Sequence, residues 1–165
     1  MNATNLKALL EREGFKPDNG IATHLLEAQK ETGLPLSDCL ALIEQESGFR
    51  NVFGHDNVRN PIKGGKVSLW RYKAYKAYRK RGWGCQGVGP TQLTWWQYQD
   101  EADELGGCWK PLCNMIVGFR LMKAIQKTYG REKGAAVYNG GAANPNETYG
   151  RSYLEKQKRW HELLT

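Results

Sequence analysis

The stretch Ala41-Leu42-Ile43-Glu44-Gln45-Glu46-Ser47-Gly48-Phe49 decides how this chain is read, because it runs an apolar helical stripe into acidic side chains. At about 100° per residue, Leu36, Cys39, Leu40 and Ile43 share one stripe, and Glu46 falls at its edge beside Cys39. Glu44 lies farther out on the other flank and Gln45 on the opposite side. Ser37 is placed to cap a helix over residues 38–46, and Gly48 to end it. A carboxyl group held against apolar packing resists ionisation, keeps its proton near neutral pH and can act as a general acid. Glu46 is therefore the first catalytic candidate. The plainer reading, a glutamate that ends a helix and turns to water, is the commoner use of that residue.

Working outward, helical spacing of Leu, Ile and Ala covers residues 5–13 and 21–32, separated by the breaker Lys16-Pro17-Asp18-Asn19-Gly20. Residues 51–66, rich in Asn, Gly and Pro, read as a loop or short hairpin at the edge of a groove. Residues 69–80 read as a basic helix with Trp70, Ala74, Ala77 and Tyr78 on one face. Helices over residues 91–105, 111–129, 132–138 and 149–163 complete the set, with Pro111 in a first turn and Gly106 and Gly130 just past helix ends. The expected fold class is mainly α, a single domain over residues 1–165 with a small loop-rich or β-hairpin lobe.

Composition narrows the function classes. Apolar residues make up 40% and charged residues 25%, as in an ordinary globular protein, and no apolar run approaches a membrane span. The first fifteen residues carry Lys7, Glu11, Arg12 and Glu13 among their leucines, unlike a secretory signal. Net charge is +7, and residues 68–82 hold six cations (Arg71, Lys73, Lys76, Arg79, Lys80, Arg81) and no acid. Such a run attracts polyanions, which include nucleic acid, teichoic acids and the carboxylates of a bacterial wall. Cys39, Cys85, Cys108 and Cys113 form no Cys-x-x-Cys pair and lie far in sequence from the histidines, so neither metal nor cofactor is expected. Cys108 and Cys113 either close a short disulfide or, the commoner state in a cytoplasmically made protein, remain thiols.

Two further segments carry chemistry. Gly87-Val88-Gly89-Pro90-Thr91-Gln92-Leu93-Thr94 precedes an amphipathic helix, and Ala135-Ala136-Val137-Tyr138-Asn139-Gly140-Gly141 ends another. In this order, Glu-Ser-Gly-Phe, Gly-x-Gly-x-x-Gln-Leu and Ala-x-Tyr-Asn-Gly-Gly resemble the goose-type lysozyme and soluble lytic transglycosylase family. Glu147-Thr148-Tyr149-Gly150-Arg151-Ser152-Tyr153-Leu154 is similar to the family's late Glu-Thr-x-x-Tyr-Val element, so the resemblance runs from Leu36 to Leu154. Pro90 and Thr91 depart from the family's usual Leu-Met before the glutamine, and the spacing from Glu46 to Gln92 is longer.

The resemblance implies a lysozyme-like domain, acting as a monomer on bacterial peptidoglycan. The implied reaction is cleavage of the β-1,4 bond between N-acetylmuramic acid and N-acetylglucosamine, with Glu46 as proton donor. Because the chain is short, basic and unlike a secreted precursor, the most economical setting is a phage endolysin, made in the host cytoplasm without a signal peptide and acting on the cell wall; a bacterial or phage-tail wall hydrolase is the alternative. Chitin cleavage stays open. An inverting hydrolase also needs a carboxylate roughly 6.5 to 9.5 Å away to activate water. Asp56 is the best candidate, because Phe53-Gly54-His55-Asp56 resembles the goose-type Gly-Asp element and favours hydrolysis; the alternative is an Asp bonded to backbone amides in a turn. In that case lytic transglycosylation follows, with one glutamate as acid and then base and the substrate's own hydroxyl as nucleophile.

Substrate-binding candidates follow the same motifs. Ser47 bonds substrate or fixes the helix end, and Gln92 pairs with a sugar acetamido group or faces solvent. The resemblance makes Tyr138 and Tyr153 tyrosines that face the catalytic acid; otherwise both are core residues with one wet edge. Asn139 with Gly140-Gly141 offers backbone to a ligand or simply stops a helix. Trp95, Trp96 and Tyr98 suit sugar faces, although at least one of them should be core. The rival from another class is a nucleic-acid-binding module in which Tyr72, Tyr75 and Tyr78, interleaved with Arg and Lys, stack on bases. No helix-turn-helix or zinc signature accompanies that run.

Overall fold

The computed structural model describes residues 1–165 and holds eight helices: α1 (Ala3–Arg12), α2 (Ile21–Thr32), α3 (Leu36–Ser47), α4 (Leu69–Lys80), α5 (Trp96–Glu104), α6 (Pro111–Tyr129), α7 (Arg131–Gly140) and α8 (Glu147–Leu164). Between α3 and α5 the chain makes only isolated antiparallel bridges, Val52 with Lys66 and Val88 with both Phe53 and Leu93. The protein is thus a mainly helical single domain with a loop-rich lobe. No helix is long and apolar enough to cross a membrane.

Helices α2, α4 and α6 begin and end where spacing and breakers place them. Gly33 ends α2 in the left-handed region at φ 66°, and Pro111 opens α6. Three expectations are corrected. Ser37 does not cap α3, which starts at Leu36 behind Pro35; the serine lies inside the helix and its Oγ accepts from Gln157 Nε2 at 3.0 Å. Helix α5 starts at Trp96 rather than at residue 91, because Gln92 N–H returns to Gly89 O and Leu93 pairs with Val88, which commits this backbone to a turn. The buried face of α4 is Tyr72, Tyr75 and Arg79, while Trp70 is 76% exposed.

Apolar side chains gather in two clusters. The larger joins α1, α2, α3, α6 and α8 through Leu6, Leu25, Ile43, Phe119 and Trp160. The smaller packs Phe53, Val67, Tyr72, Tyr75, Val88 and Leu93 in the loop-rich lobe. Helix α6 serves both, with Met115 and Phe119 in the first and Val117 in the second. Each fully buried side chain of this size contributes roughly 1.5 to 3 kcal/mol.

Without a sheet, the smaller lobe satisfies its buried backbone with side-chain amides. Gln99 Nε2 donates to Leu93 O at 2.7 Å and Gln86 O at 2.9 Å. Asn114 Nδ2 donates to Val88 O at 2.7 Å while its Oδ1 accepts from Thr91 N at 3.0 Å. Asn60 Nδ2 reaches Tyr75 O at 3.1 Å and Gly84 O at 3.3 Å. All four cysteines are free; Cys113 Sγ lies 3.5 Å from Leu105 O and Cys108 Sγ accepts from Asn114 Nδ2 at 3.6 Å.

The helical lobe has one charged hub. Asp38 is fully buried, and its Oδ1 accepts from Arg131 Nε and Tyr153 OH, both at 2.9 Å, and from Gln126 Nε2 at 3.1 Å. It ties α3 to α6, α7 and α8 through one atom. Asp38→Ala strands three donors, all in partly or fully buried surroundings, so it should cost about 3 kcal/mol, read as a lower urea midpoint at unchanged slope. A loss below about 1 kcal/mol would show that water replaces the carboxylate freely.

Candidate active site

Helix α3 delivers its last turn to a cleft between the lobes. Gly48 and Phe49 follow in succession with left-handed backbone, φ 59° and 66°. This tight reversal sends Phe49 into the core, 4.8 Å from the Phe15 ring and 6.1 Å from Trp160 between centroids, and leaves Arg50 at the surface. The only other non-glycine residue with positive φ is Gln92, at 50°. Backbone held in this region stores strain and gathers at functional sites. Glu46, Ser47, Arg50, Gly54, His55 and Gln92 line the resulting cavity of about 560 Å³.

Three consecutive side chains at the end of α3 each take a partner from α8. Glu44 accepts from Trp160 Nε1 at 2.7 Å and from Arg159. Gln45 Oε1 accepts from Ser152 Oγ at 3.1 Å. Glu46 Oε1 accepts from the Tyr149 hydroxyl. Glu44 therefore has a cation and Glu46 has none. Burial pushes the Glu46 carboxyl up from 4.5 to about 7, against the opposing pull of the Tyr149 hydrogen bond. Burial, with the carboxyl close by, holds the Tyr138 and Tyr149 phenols well above their ordinary value, so both stay neutral donors. The result is a carboxyl group half-protonated near neutral pH at the wall of an open cleft.

The remaining candidates divide. Ser47 is buried at the cleft, with its Oγ 3.3 Å from Ile43 O and accepting from Arg50 N at 3.4 Å, so it shapes the helix end. Gln92 faces the cleft, but its Nε2 is committed to Val52 O at 2.9 Å and Gly89 O at 3.0 Å. Its Oε1 is packed so tightly against Gly87 that a Cβ there would lie 2.4 Å away. Tyr138 donates to Thr91 O at 2.8 Å beside Glu46, linking α7 to the turn before α5. Asn139 is exposed and accepts from Asn146 Nδ2 at 2.7 Å, closing the turn between α7 and α8.

Tyr153 is a correction. Its hydroxyl bonds Asp38 in the helical core, and the tyrosine on Glu46 is Tyr149, four residues earlier. Residues four apart share a helix face, so the sequence marked the right face and the position along α3 chose the residue. Asp56 takes the turn geometry. Its Oδ2 accepts from Gly87 N at 3.1 Å, its own N–H donates to Gln86 Oε1 at 2.7 Å, and it is absent from the cleft lining.

Half of the basic run is paired within the protein. Arg71 Nη1 donates to Lys66 O at 2.7 Å and Gly64 O at 2.9 Å, Lys76 pairs with Asp103, and Arg79 pairs with Asp100. Lys73, Lys80 and Arg81 remain exposed. Tyr72 and Tyr75 are buried and Tyr78 stacks on Trp83 at 5.0 Å, so none of the three tyrosines presents a free ring for base stacking, and Trp70 is the exposed aromatic of this helix. Trp95 and Trp96 are 60% and 49% exposed, whereas Tyr98 packs on the smaller core.

A larger cavity of about 720 Å³ opens between the starts of α7 and α8, lined by exposed charges of both signs, including Arg131, Glu132, Glu147 and Arg151. No cluster of three His, Cys, Asp or Glu side chains is placed to hold a metal ion. No family model matches the chain, and comparisons with curated proteins and with solved structures find no match either.

Because folding raises the Glu46 pKa from 4.5 to about 7, the folded chain keeps a proton that the unfolded chain releases between those values. Stability therefore falls as pH rises across that window and stays at the lower level above it. Glu46→Gln has no charge to bury, so it should melt about 5 °C above the parent at pH 8 and close to it at pH 4. A gap independent of pH would mean that the carboxyl ionises in the fold without cost.

Proposed function

We propose that the protein cleaves the β-1,4 glycosidic bond between N-acetylmuramic acid and N-acetylglucosamine in bacterial peptidoglycan, with Glu46 as general acid. The observation that carries this reading is the Glu46 carboxyl itself: it is held by Tyr149 without a cationic partner, at an open cleft, with its pKa near 7. Glycosidic cleavage needs a proton at the leaving oxygen as positive charge develops on the sugar ring. Tyr149 occupies Oε1, which leaves Oε2 to carry that proton, and the same phenol steadies the carboxylate after transfer. A neutral donor does this without locking the group in its charged form. The ordered motifs that resemble goose-type lysozymes and lytic transglycosylases supply the substrate class. They also support a lysozyme-like fold; the biological setting we propose for it is a phage endolysin.

The acid is the reactive form, so kcat/KM should fall about tenfold per pH unit above roughly pH 7. Glu46→Gln should lose at least about a hundredfold in wall clearing while keeping its fold. Turbidity clearing of bacterial walls, followed across pH 5 to 9, reads both. Wall lysis by a folded Glu46→Gln protein at the parent rate would remove Glu46 from the mechanism.

The geometry of Asp56 favours one fate for the intermediate. Its carboxylate is tied to Gly87 N–H and stands outside the cleft lining, so Glu46 is the cleft's own carboxyl group. On this reading Glu46 acts first as acid and then as base: it protonates the leaving oxygen as the bond to C1 breaks, then takes the proton of the muramic C6 hydroxyl as that oxygen closes onto C1. This is lytic transglycosylation rather than the hydrolysis that the Gly-His-Asp element suggests. Asp56→Asn should then keep activity within about tenfold and give anhydro-muramic products by mass spectrometry. A loss of about 10² or more, with reducing-end products in the parent, would instead establish hydrolysis with Asp56 as base.

A further inference from the structure

We infer that Arg50 forms a carboxylate-binding subsite in the Glu46 cleft, so that the protein selects glycans bearing an acidic substituent over neutral chains. This inference rests on the glycan-cleaving reading above and names the substrate chemistry of the same cleft. Arg50 lines the cavity with Glu46, and its guanidinium makes neither an ion pair nor a hydrogen bond to the protein; only its backbone N–H is engaged, by Ser47 Oγ. Most other arginines of the chain have a side-chain partner, as Arg71, Arg79, Arg120, Arg131 and Arg159 do.

The residue is also placed there by strained backbone. Gly48 and Phe49 both turn left-handed, Phe49 is locked in the core, and the next N–H, on Asn51, is fixed by Asp18 Oδ2 at 2.7 Å. The segment before and after Arg50 is therefore rigid while its side chain stays free, the arrangement of a pre-positioned binding group. His55 lines the same cavity, also without a protein partner, its ring packed so closely on Gly64 that a Cβ there would lie 2.2 Å away. Glu46 is the only carboxylate in the lining, and it is half-neutral near pH 7. Asp56 lies beside Gly54 with one oxygen on Gly87 N–H. The cleft thus presents an unpaired cation to whatever lies beside the scissile bond.

A guanidinium pairs with carboxylate through two parallel N–H donors, a geometry that a neutral acetamido group cannot match. In a wall glycan that carboxylate has two sources. One is the lactyl group of a bare muramic sugar, and the other is the peptide that replaces its free acid with an amide and adds carboxylates farther out. Chitin carries neither.

The test uses the non-cleaving Glu46→Gln protein and measures equilibrium binding of three probes by titration calorimetry. These are chitotetraose, a bare GlcNAc–MurNAc tetrasaccharide, and the same tetrasaccharide carrying its stem peptide. Adding Arg50→Gln should weaken at least one acidic probe about tenfold or more and leave chitotetraose unchanged, while Arg50→Lys recovers only part of the loss. A loss on the bare tetrasaccharide assigns the lactyl carboxylate, and a loss confined to the peptide-bearing probe assigns the peptide. If acidic and neutral probes bind alike whether or not Arg50 is present, the inference fails and the glycan reading survives. If no probe binds to the folded protein, both fall together. Arg50 is exposed, so an unchanged melting temperature will show that the variant is folded.

Discussion

The docking of α8 across the end of α3 is the constraint on which the rest depends. It gives each of three successive side chains a different neighbour: a cation and an indole N–H for Glu44, a hydroxyl for Gln45, a phenol for Glu46. Two glutamates two residues apart thereby acquire opposite chemistry. Glu44 is compensated by charge and serves the packing of Trp160, while Glu46 is desolvated with only a neutral hydroxyl to offset it. The same α8 anchors Asp38 through Tyr153, so the helix that perturbs the acid also holds the helix that carries it.

The cleft is built from strain on both walls. Phe49 and Gln92, the only non-glycine residues in the left-handed region, sit at the end of α3 and in the turn before α5. Each is held by what surrounds it: Phe49 by aromatic packing and Gln92 by two hydrogen bonds from its own amide. Tyr138, on α7 and close to Glu46, holds the second of these walls by donating to Thr91 O. A helical lobe alone would offer Glu46 to solvent; the turn around Gln92 supplies the opposite wall.

Much of the helical framework was legible in the sequence, since α2, α4 and α6 have regular spacing, with boundary signals in the breaker that ends at Gly20, in Pro111 and in Gly130. The misreadings share a cause, which is that tertiary partners overrode local pattern. Ser37 has the chemistry of a cap but pairs with Gln157 instead. Trp70 looks like the anchor of α4, yet the lobe below offers polar partners, Gln99 and Asp103, to Tyr75 and Tyr72, and these turn inward. Glu46 was legible because its position on a helical stripe fixes its surroundings. The tyrosine that meets it was not, because Tyr149 and Tyr153 lie on one face of α8 and only the crossing of two helices separates them. Arg50 gave no signal at all, since an unpaired cation becomes visible only when every possible partner has a place.

The two lobes should wear chemical ageing differently. The helical lobe is held chiefly by backbone bonds and apolar packing, which slow side-chain hydrolysis cannot touch, and only secondarily by amides such as Gln126 and Gln157. The loop-rich lobe hangs on the carboxamides of Asn60, Gln86, Gln99 and Asn114, each donating an N–H that an acid would lack. Deamidation at any of them replaces a buried donor with a charge facing a carbonyl. Their burial shields them while the fold is closed, so the damage falls on molecules that open locally. The lobe facing Glu46 has, in effect, a lifetime set by how often it breathes.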